Sequence, residues 1–210
     1  MLVRIIRIII KGFLLAVAWH TLVRVIRHFY KFPMPEFLAN LIDNPLRRAI
    51  QPPDQMPSRH GIEPGMAVLE VGPGNGRYTV EFARRAGPAG RVAAVDIEPK
   101  MIARVRERAA TAGIANLEAR VADVYDLPFE DSAFDAVAMI TVISEIPDPV
   151  RAMREFHRVL KPGGILGFSE LLLDPDYPPA RTLLWQANEA GFSLRRKTGN
   201  VWAYTLLLTK

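Results

Sequence analysis

One stretch of the sequence, VLEVGPGNGRYT at residues 68–79, constrains the fold more than any other. Its apolar first half predicts a buried strand. The three glycines that follow, Gly72, Gly74 and Gly76, predict a turn in which the backbone passes close to a ligand. Helical periodicity begins directly after them. A strand, a glycine turn and a helix in this order are typical of the first unit of a ligand-binding α/β sheet.

Strand and helix patterns alternate from residue 61 to residue 210, which predicts a parallel, doubly wound sheet. Strands are predicted at 66–71, 91–95, 117–121, 134–140 and 165–169, helices at 77–86, 99–112, 149–160 and 180–190, and a closing hairpin at 192–197 and 201–209. In such a sheet the ligand lies at the carboxyl ends of the strands, beside the first strand. We therefore expect a basic helix at 1–31, a cap or linker at 32–60 and a ligand-binding domain at 61–210.

The glycine turn excludes two common nucleotide sites. The dinucleotide fingerprint G-x-G-x-x-G requires a glycine at position 77, where the sequence has Arg77. The phosphate-binding motif G-x-x-x-x-G-K-[ST] is absent from the sequence. The chain also has no cysteine, which excludes disulfides, thiolate metal ligands and cysteine nucleophiles. No metal site is predicted.

Acidic residues near the ends of the first three strands indicate a different ligand. Glu70, before the glycines, suits a positively charged group such as the ammonium of an amino acid. Asp96 ends the second strand, where a carboxylate accepts hydrogen bonds from ribose hydroxyls. Asp123 follows the third strand and could accept from an adenine amino group, while Val124 could supply a backbone amide. An amino acid, a ribose and an adenine together describe S-adenosylmethionine.

Four segments carry a resemblance to a known family. They are VLEVGPGNG (68–76), AVDIEPKMI (94–102), ARVADVYDLPFEDSAFDAV (119–137) and REFHRVLKPGGILGFSE (154–170). In this order they resemble the class I S-adenosylmethionine-dependent methyltransferases, in particular the type 11 methyltransferase domains. The resemblance implies a Rossmann-like, seven-stranded sheet of order 3-2-1-4-5-7-6 with strand 7 antiparallel.

The same resemblance assigns cofactor contacts within the turn and around it. It implies that Glu70 orients the loop or meets the amino group through water. The remaining implied contacts are Gly72, Gly74, Asn75, Gly76 and Thr141 on the methionine side, Asp96 on the ribose, and Asp123, Val124, Ile97 and Met101 around the adenine.

The methyl acceptor is harder to predict, because transfer from a sulfonium needs alignment more than catalytic groups. A general base is required only where the acceptor arrives protonated. Many relatives have a pair of histidines where Ser144 and Glu145 stand, so a histidine-based mechanism does not transfer. Glu145 is the first candidate to bind or deprotonate a cationic amine. Tyr30 and His60 are further candidates, and we expect His60 near the mouth of the cleft.

Residues 1–35 contain six basic residues and no acidic one, so the rest of the chain carries −1, the difference between +5 and +6. A nearly neutral domain argues against nucleic-acid binding. A basic, apolar helix favours an amphipathic segment that lies on an anionic membrane surface. Three alternatives are a single-pass membrane anchor, a signal peptide, and a helix docked on its own domain or on a dimer partner. The longest run without Lys or Arg, at 12–23, has 12 residues, against the ~20 that span a bilayer.

A basic amphipathic helix ahead of a cap resembles the layout of bacterial phospholipid N-methyltransferases, which methylate the amine of phosphatidylethanolamine. We therefore expect a cytoplasmic methyltransferase, peripherally associated with the membrane, that acts on a lipid or lipophilic acceptor. A prenylated quinone and a soluble small molecule are the alternative acceptors. A non-enzymatic, membrane-bound cofactor sensor is a further alternative. The oligomeric state is left open by the sequence.

Overall fold

A computed structural model of the chain describes residues 2–29 and 45–210. The strands are Ala67–Val71 (β1), Arg91–Asp96 (β2), Leu117–Val121 (β3), Phe134–Ile140 (β4), Leu160–Leu171 (β5), Ser193–Gly199 (β6) and Ala203–Thr209 (β7). The helices are Leu2–Phe29 (α1), Pro45–Ile50 (α2), Met56–Arg59 (α3), Arg77–Ala86 (α4), Pro99–Thr111 (α5), Pro149–Val159 (α6) and Ala180–Glu189 (α7), with short 3-10 turns at Pro53–Gln55 and Ile143–Glu145.

The strands form one sheet of order β3-β2-β1-β4-β5-β7-β6. Neighbours from β3 to β5 pair in parallel, whereas β7 is antiparallel to both β5 and β6. The predicted α/β architecture, strand order and direction of strand 7 are therefore confirmed. Because β1 and β4 are adjacent but not consecutive, the chain reverses its winding direction there, and the crevice at their carboxyl ends is open for a ligand.

The fifth strand is longer than predicted. The turn-like residues 161–164 predict a break before residue 165, yet β5 already begins at Leu160, which pairs with Phe134. The pairing with β4 then shifts register before Ala136 pairs with Ile165. An irregularity in the ladder accommodates the proline and glycines, which a regular central strand excludes.

Helices cover both faces of the sheet, and each face has its own apolar core. One core contains side chains of α6 and α7, among them Phe156 and Leu183, packed on β4, β5 and β7. The other contains Met56 of α3 and Phe82 of α4 against β1, β2 and β4. Since Met56 is fully buried, the end of the predicted cap is built into the domain.

Two helix starts follow the local sequence closely. Glu98 accepts a hydrogen bond from the Lys100 amide at the start of α5, and Asp148 accepts one from the Arg151 amide at the start of α6. Each helix has a proline in its first turn, where the missing amide costs nothing. These caps fix where the two helices begin, and therefore where the loops at the carboxyl edge end.

The N-terminal helix α1 is continuous over Leu2–Phe29, and its basic and apolar residues are only weakly separated around the helix. Arg24 connects it to the domain: its guanidinium donates to the Tyr177 carbonyl at 2.9 Å and lies 6.0 Å from the centre of the Tyr177 ring. The single-pass alternative requires a helix that spans the membrane. Within residues 2–29 and 45–210, no helix is long and apolar enough to do so. Of the predicted cap or linker at 32–60, only residues 45–60 lie within the described residues.

Candidate functional site

A cavity of about 390 Å³ opens at the carboxyl edge of the sheet, where β1, β2 and β4 end. All but one of the predicted cofactor residues line it. They are Glu70, Gly72, Gly74, Asn75, Asp96, Ile97, Met101, Asp123, Val124 and Thr141. Parallel strands and a shared edge bring these residues together from four separate loops.

The glycine turn is built for close approach. Gly72 has a φ of +68°, and a Cβ there would lie 2.5 Å from a methyl carbon of Val142. Gly76 is the one predicted cofactor residue that does not line the cavity. It has a φ of +77° at the start of α4, and a Cβ would lie 3.0 Å from the Cα of Val105 in α5. The third glycine therefore permits two helices to pack closely, whereas the first two border the ligand space.

Glu70 is a buried acid at the floor of the cavity. Its side chain is 2% exposed, and Oε2 has no hydrogen-bond partner among the described residues. Burial raises the pKa of its carboxyl to about 8; the Thr79 hydroxyl opposes the rise, and the nearby Asp96 carboxylate adds to it. A buried carboxyl with an unsatisfied oxygen needs either a proton or a cation. This site therefore fits the ammonium of a bound amino-acid moiety.

Two aspartates border the neighbouring part of the cavity. Asp96 at the end of β2 accepts a hydrogen bond from the Glu98 amide at 2.9 Å, and burial raises the pKa of its carboxyl. Asp123 accepts one from the Tyr125 amide, also at 2.9 Å. These bonds orient both side chains without engaging a second protein side chain. Carboxylates held in this way suit ribose hydroxyls and an exocyclic amine.

Thr141, at the end of β4, has a strained backbone. Its φ of +56° is unusual for a β-branched residue, and such outliers concentrate at functional sites. Its amide donates to the Ser169 carbonyl at 2.9 Å, and its hydroxyl donates to the Ile140 carbonyl at 2.8 Å. Its hydroxyl oxygen also accepts a hydrogen bond from Arg47. These contacts hold the strained residue at the cavity wall.

Arg47 is a site residue that the sequence analysis missed. It extends from α2 into the cavity wall, is 8% exposed, and contacts both Thr141 and Asp174, with Nη1 3.6 Å from the Asp174 carboxylate. Nothing in its local sequence distinguishes it from Arg48. Only the folded chain shows that α2 packs over the end of β4.

Glu170, near the end of β5, is a second residue that the sequence analysis did not predict. It is 2% exposed, and its Oε1 has no hydrogen-bond partner among the described residues. Burial raises the pKa of its carboxyl well above the usual range, the carboxylates of Asp174, Glu145 and Asp176 add to the rise, and Arg47 opposes it. An acid near the carboxyl end of strand five could have been found by the rule that identified Asp96.

Of the two catalytic candidates within the described residues, Glu145 lies at the cavity and His60 does not. Glu145 ends the 3-10 turn Ile143–Glu145, after β4, and its amide donates to the Val142 carbonyl at 2.9 Å. Its catalytic role stays a prediction. Tyr30 lies outside the described residues.

His60 is not at the mouth of the cleft, where we expected it. It is 1% exposed and packs between α4 and the face of the sheet, with Nε2 2.8 Å from the Ser169 hydroxyl. Burial lowers the pKa of the ring to about 3, and Arg59 contributes to the decrease. The ring lies against Gly167 and Ser169 of β5, so it is buried on one face of the sheet and does not line the cavity.

A His60→Ala variant is expected to be less stable by roughly 2–4 kcal/mol while retaining cofactor affinity, because the change leaves a cavity and removes one of the two side-chain partners of the Ser169 hydroxyl, the other being Thr205. Chemical denaturation and calorimetry test the two parts. The pKa of His60 is about 3 in the folded protein and 6.5 as its ordinary value. This residue therefore removes stability as the pH falls below 6.5, and the variant should lose less stability in acid than the parent. Loss of cofactor affinity would contradict the assignment of His60 to the core.

Comparison with known proteins, like the residues of the cavity, indicates a methyltransferase domain. Residues 69–168 match the family described as "Methyltransferase domain". The ubiquinone/menaquinone biosynthesis C-methyltransferase UbiE of Idiomarina loihiensis is 34% identical over 144 residues, 68% of this chain and 56% of that protein. UbiE of Pasteurella multocida is 37% identical over 119 residues, 55% of this chain and 44% of that protein. The chain thus spans about half the length of the curated relatives it matches.

Among solved structures, a SAM-dependent methyltransferase from Aquifex aeolicus superimposes with a TM-score of 0.76. The match covers 84% of this chain and 99% of that one, at 22% identity. At this identity the likeness establishes the fold alone. Evidence about the reaction therefore comes from the family match and the relatives, and not from the superposition.

Proposed function

We propose that this chain, a member of the S-adenosylmethionine-dependent methyltransferase family, methylates a ring carbon of a lipophilic quinol. The similarity to relatives named as quinone C-methyltransferases carries the proposal. Apolar side chains on the β4 side of the cavity support it, since Ile140, Val142 and Ile146 suit a flat aromatic ring. Phosphatidylethanolamine, our first expectation, becomes the second candidate.

The residues of the cavity fit S-adenosylmethionine. Glu70 would hold the ammonium, Gly72 and Gly74 leave room for the methionine chain, Asp96 would accept from the ribose, and Asp123 would accept from the adenine amine. When bound, the cofactor supplies a methyl group on a cationic sulfur, which keeps the electron pair of the broken bond as the new carbon–methyl bond forms. The protein contributes alignment and the exclusion of water.

The remaining task of the protein is proton removal. A quinol ring carbon becomes a strong nucleophile when a neighbouring hydroxyl loses its proton, and a ring proton must leave after methylation. Glu145, at the acceptor end of the cavity, is our candidate for this base. Glu170 is a buried carboxyl whose pKa is raised by burial and by nearby carboxylates, among them that of Glu145.

One observation favours the phospholipid amine instead. Four acids, Glu145, Glu170, Asp174 and Asp176, are electrostatically coupled at the acceptor side, with Arg47 opposing them. A surplus of carboxyl groups would attract a cationic ammonium. We rank the quinol first because the relatives are named as quinone C-methyltransferases, and the family match at residues 69–168 includes the loop after β4.

We propose that the acceptor is drawn from a membrane by peripheral association of residues 1–31 with an anionic surface. Helix α1 contains basic residues and no acid, and it exposes large apolar side chains. They are Ile6, Ile10, Leu14, Leu15, Trp19, Leu22, Val25 and Ile26. This combination suits the interface between lipid headgroups and acyl chains.

The acceptor is identified by incubating the full chain with radiolabelled S-adenosylmethionine and a total bacterial lipid extract, followed by chromatography. Label in the quinone fraction is the expected result. Label in phosphatidylethanolamine derivatives would replace the quinol by the amine. Label in no lipid would contradict a lipophilic acceptor.

A Glu145→Gln variant is expected to lose about 10²–10⁴-fold in kcat with the quinol acceptor, because a positioned base contributes on that scale. Its affinity for S-adenosylmethionine should not change. Asp148→Asn, three residues later and outside the cavity, is the matched control and should retain the parent kcat. Parental turnover in Glu145→Gln would remove this residue from the mechanism.

A further inference from the structure

We propose a second membrane-docking element, formed by the tip of the β6–β7 hairpin and the loop after β5. Together with the end of α1, it would seat the acceptor edge of the cavity on an anionic lipid bilayer. The inference rests on the proposed function, since it names the surface from which a lipophilic acceptor would enter.

Large apolar side chains are exposed on this surface. Leu173 in the loop after β5 is 53% exposed, and Val201 and Trp202 at the hairpin tip are 65% and 64% exposed. On α1, Leu22 and Val25 are each 51% exposed. An isolated apolar residue on a surface is ordinary, but a group of large ones on neighbouring segments marks an interaction site.

A series of hydrogen bonds connects these segments. The Leu172 amide donates to the Trp202 carbonyl at 2.8 Å, and the Tyr177 hydroxyl donates to the Val201 carbonyl at 2.7 Å. The Tyr177 carbonyl in turn accepts the hydrogen bond from Arg24 of α1. The hairpin tip, the loop after β5 and the end of α1 are therefore one connected surface. We call it the docking surface.

The topology places the docking surface at the ligand edge of the sheet. Because β7 is antiparallel to β5, with Leu171 opposite Ala203, the hairpin tip projects from the carboxyl end of β5. That is the edge at which β1, β2 and β4 open into the cavity. The contact of Asp174 with Arg47 then joins the loop after β5 directly to the cavity wall. A lipid-bound acceptor would have a short path from this surface to the site.

Charge indicates what covers the surface. Strand β6, which leads into the tip, exposes Arg195, Arg196 and Lys197 and contains no acid, and α1 also lacks acids. The two acids of the loop after β5, Asp174 and Asp176, are partly buried. Each basic residue near an anionic bilayer adds about 1 kcal/mol, and tryptophan prefers the lipid interface. These properties favour an anionic bilayer as the occupant.

The three tryptophans of the chain, Trp19, Trp185 and Trp202, provide the test. One full-length variant, W19F/W185F, reports on Trp202 alone. The matched variant W19F/W202F reports on Trp185, which is 62% exposed on α7 and outside the docking surface. With phosphatidylglycerol-containing vesicles, Trp202 emission should shift to shorter wavelength and be quenched by brominated lipid. Trp185 emission should not change, and vesicles of phosphatidylcholine alone should produce a much smaller shift of Trp202.

A V201S/W202S variant should bind the anionic vesicles about 10–100-fold more weakly, since it removes two exposed apolar side chains from the interface. Unchanged calorimetric affinity for S-adenosylmethionine confirms that it folds. The proposal is overturned if Trp202 stays exposed in vesicle-bound protein, if V201S/W202S binds vesicles normally, or if its only defect is loss of self-association in gel filtration. Vesicle binding without label in any lipid would contradict the proposed acceptor and not this surface.

Discussion

An Asp96→Ala variant is expected to bind S-adenosylmethionine at least a hundredfold more weakly than the parent protein. Asp96 ends β2 at the cavity, and the Glu98 amide already orients its carboxylate. Hydrogen bonds to a charged acceptor contribute about 1.5–3 kcal/mol each, so the loss of two from ribose hydroxyls corresponds to this change. Isothermal titration calorimetry measures it directly.

Asp135→Asn is the matched control for this experiment. Asp135 is an aspartate of β4 in the same sheet, but it lies toward the amino edge, where it accepts from the Ala67 amide at 2.8 Å and pairs with Lys161 at 2.7 Å. That substitution should lower stability and leave cofactor affinity unchanged. An Asp96→Ala protein that is folded and binds as tightly as the parent would show that the ribose is held elsewhere.

The fold was predictable because strand periodicity and turn residues agree along the domain. β1 is buried over its whole length, as its apolar sequence requires, even though it contains Glu70. The extension of β5 back to Leu160 was not predictable, because lysine, proline and two glycines normally end a regular element. Pairing with Phe134 extends β5 through these residues, and tertiary contacts of that kind are not visible in the local sequence.

The cofactor side of the site was predictable for a topological reason. Acids and glycines near the ends of parallel strands meet at one edge, so Asp96 and Asp123 could be placed without knowing a single distance. Gly76 shows the limit of this reasoning: only the packing of α4 against Val105 distinguishes a glycine required by helix contact from one required by a ligand.

The acceptor side was not predictable in the same way. Arg47 belongs to a short helix 94 residues before Thr141 in sequence, and its position depends on how α2 folds over Thr141. His60 illustrates the opposite error. Its closeness in sequence to β1 indicated the cleft, but the ring packs on one face of the sheet against Gly167 and Ser169 and does not line the cavity.

A Glu70→Gln variant is expected to change protein stability and cofactor affinity in opposite directions, which separates these two consequences of burying the acid. The pKa of Glu70 is about 8 in the folded protein against an ordinary value of 4.5. Between these values the folded state holds a proton that the unfolded state releases, so the residue makes the protein less stable as pH rises through this window. Glutamine does not titrate. The variant without cofactor should therefore be more stable than the parent by roughly 2–5 kcal/mol at pH 8, and by much less at pH 5.

The affinity of the parent protein for S-adenosylmethionine should rise with pH, whereas its stability falls. An ionised Glu70 would pair with the ammonium of S-adenosylmethionine, so the parent should bind more tightly as pH rises toward 8, and Glu70→Gln should lose this dependence together with about tenfold to a hundredfold in affinity. Denaturation and calorimetry at pH 5 and pH 8 measure both effects. Glu170→Gln is the matched control, because Glu170 is also a 2% exposed strand glutamate but does not line the cavity. It should share the gain in stability and keep the affinity, so an equal loss of affinity in both variants would mean that Glu70 acts only through folding.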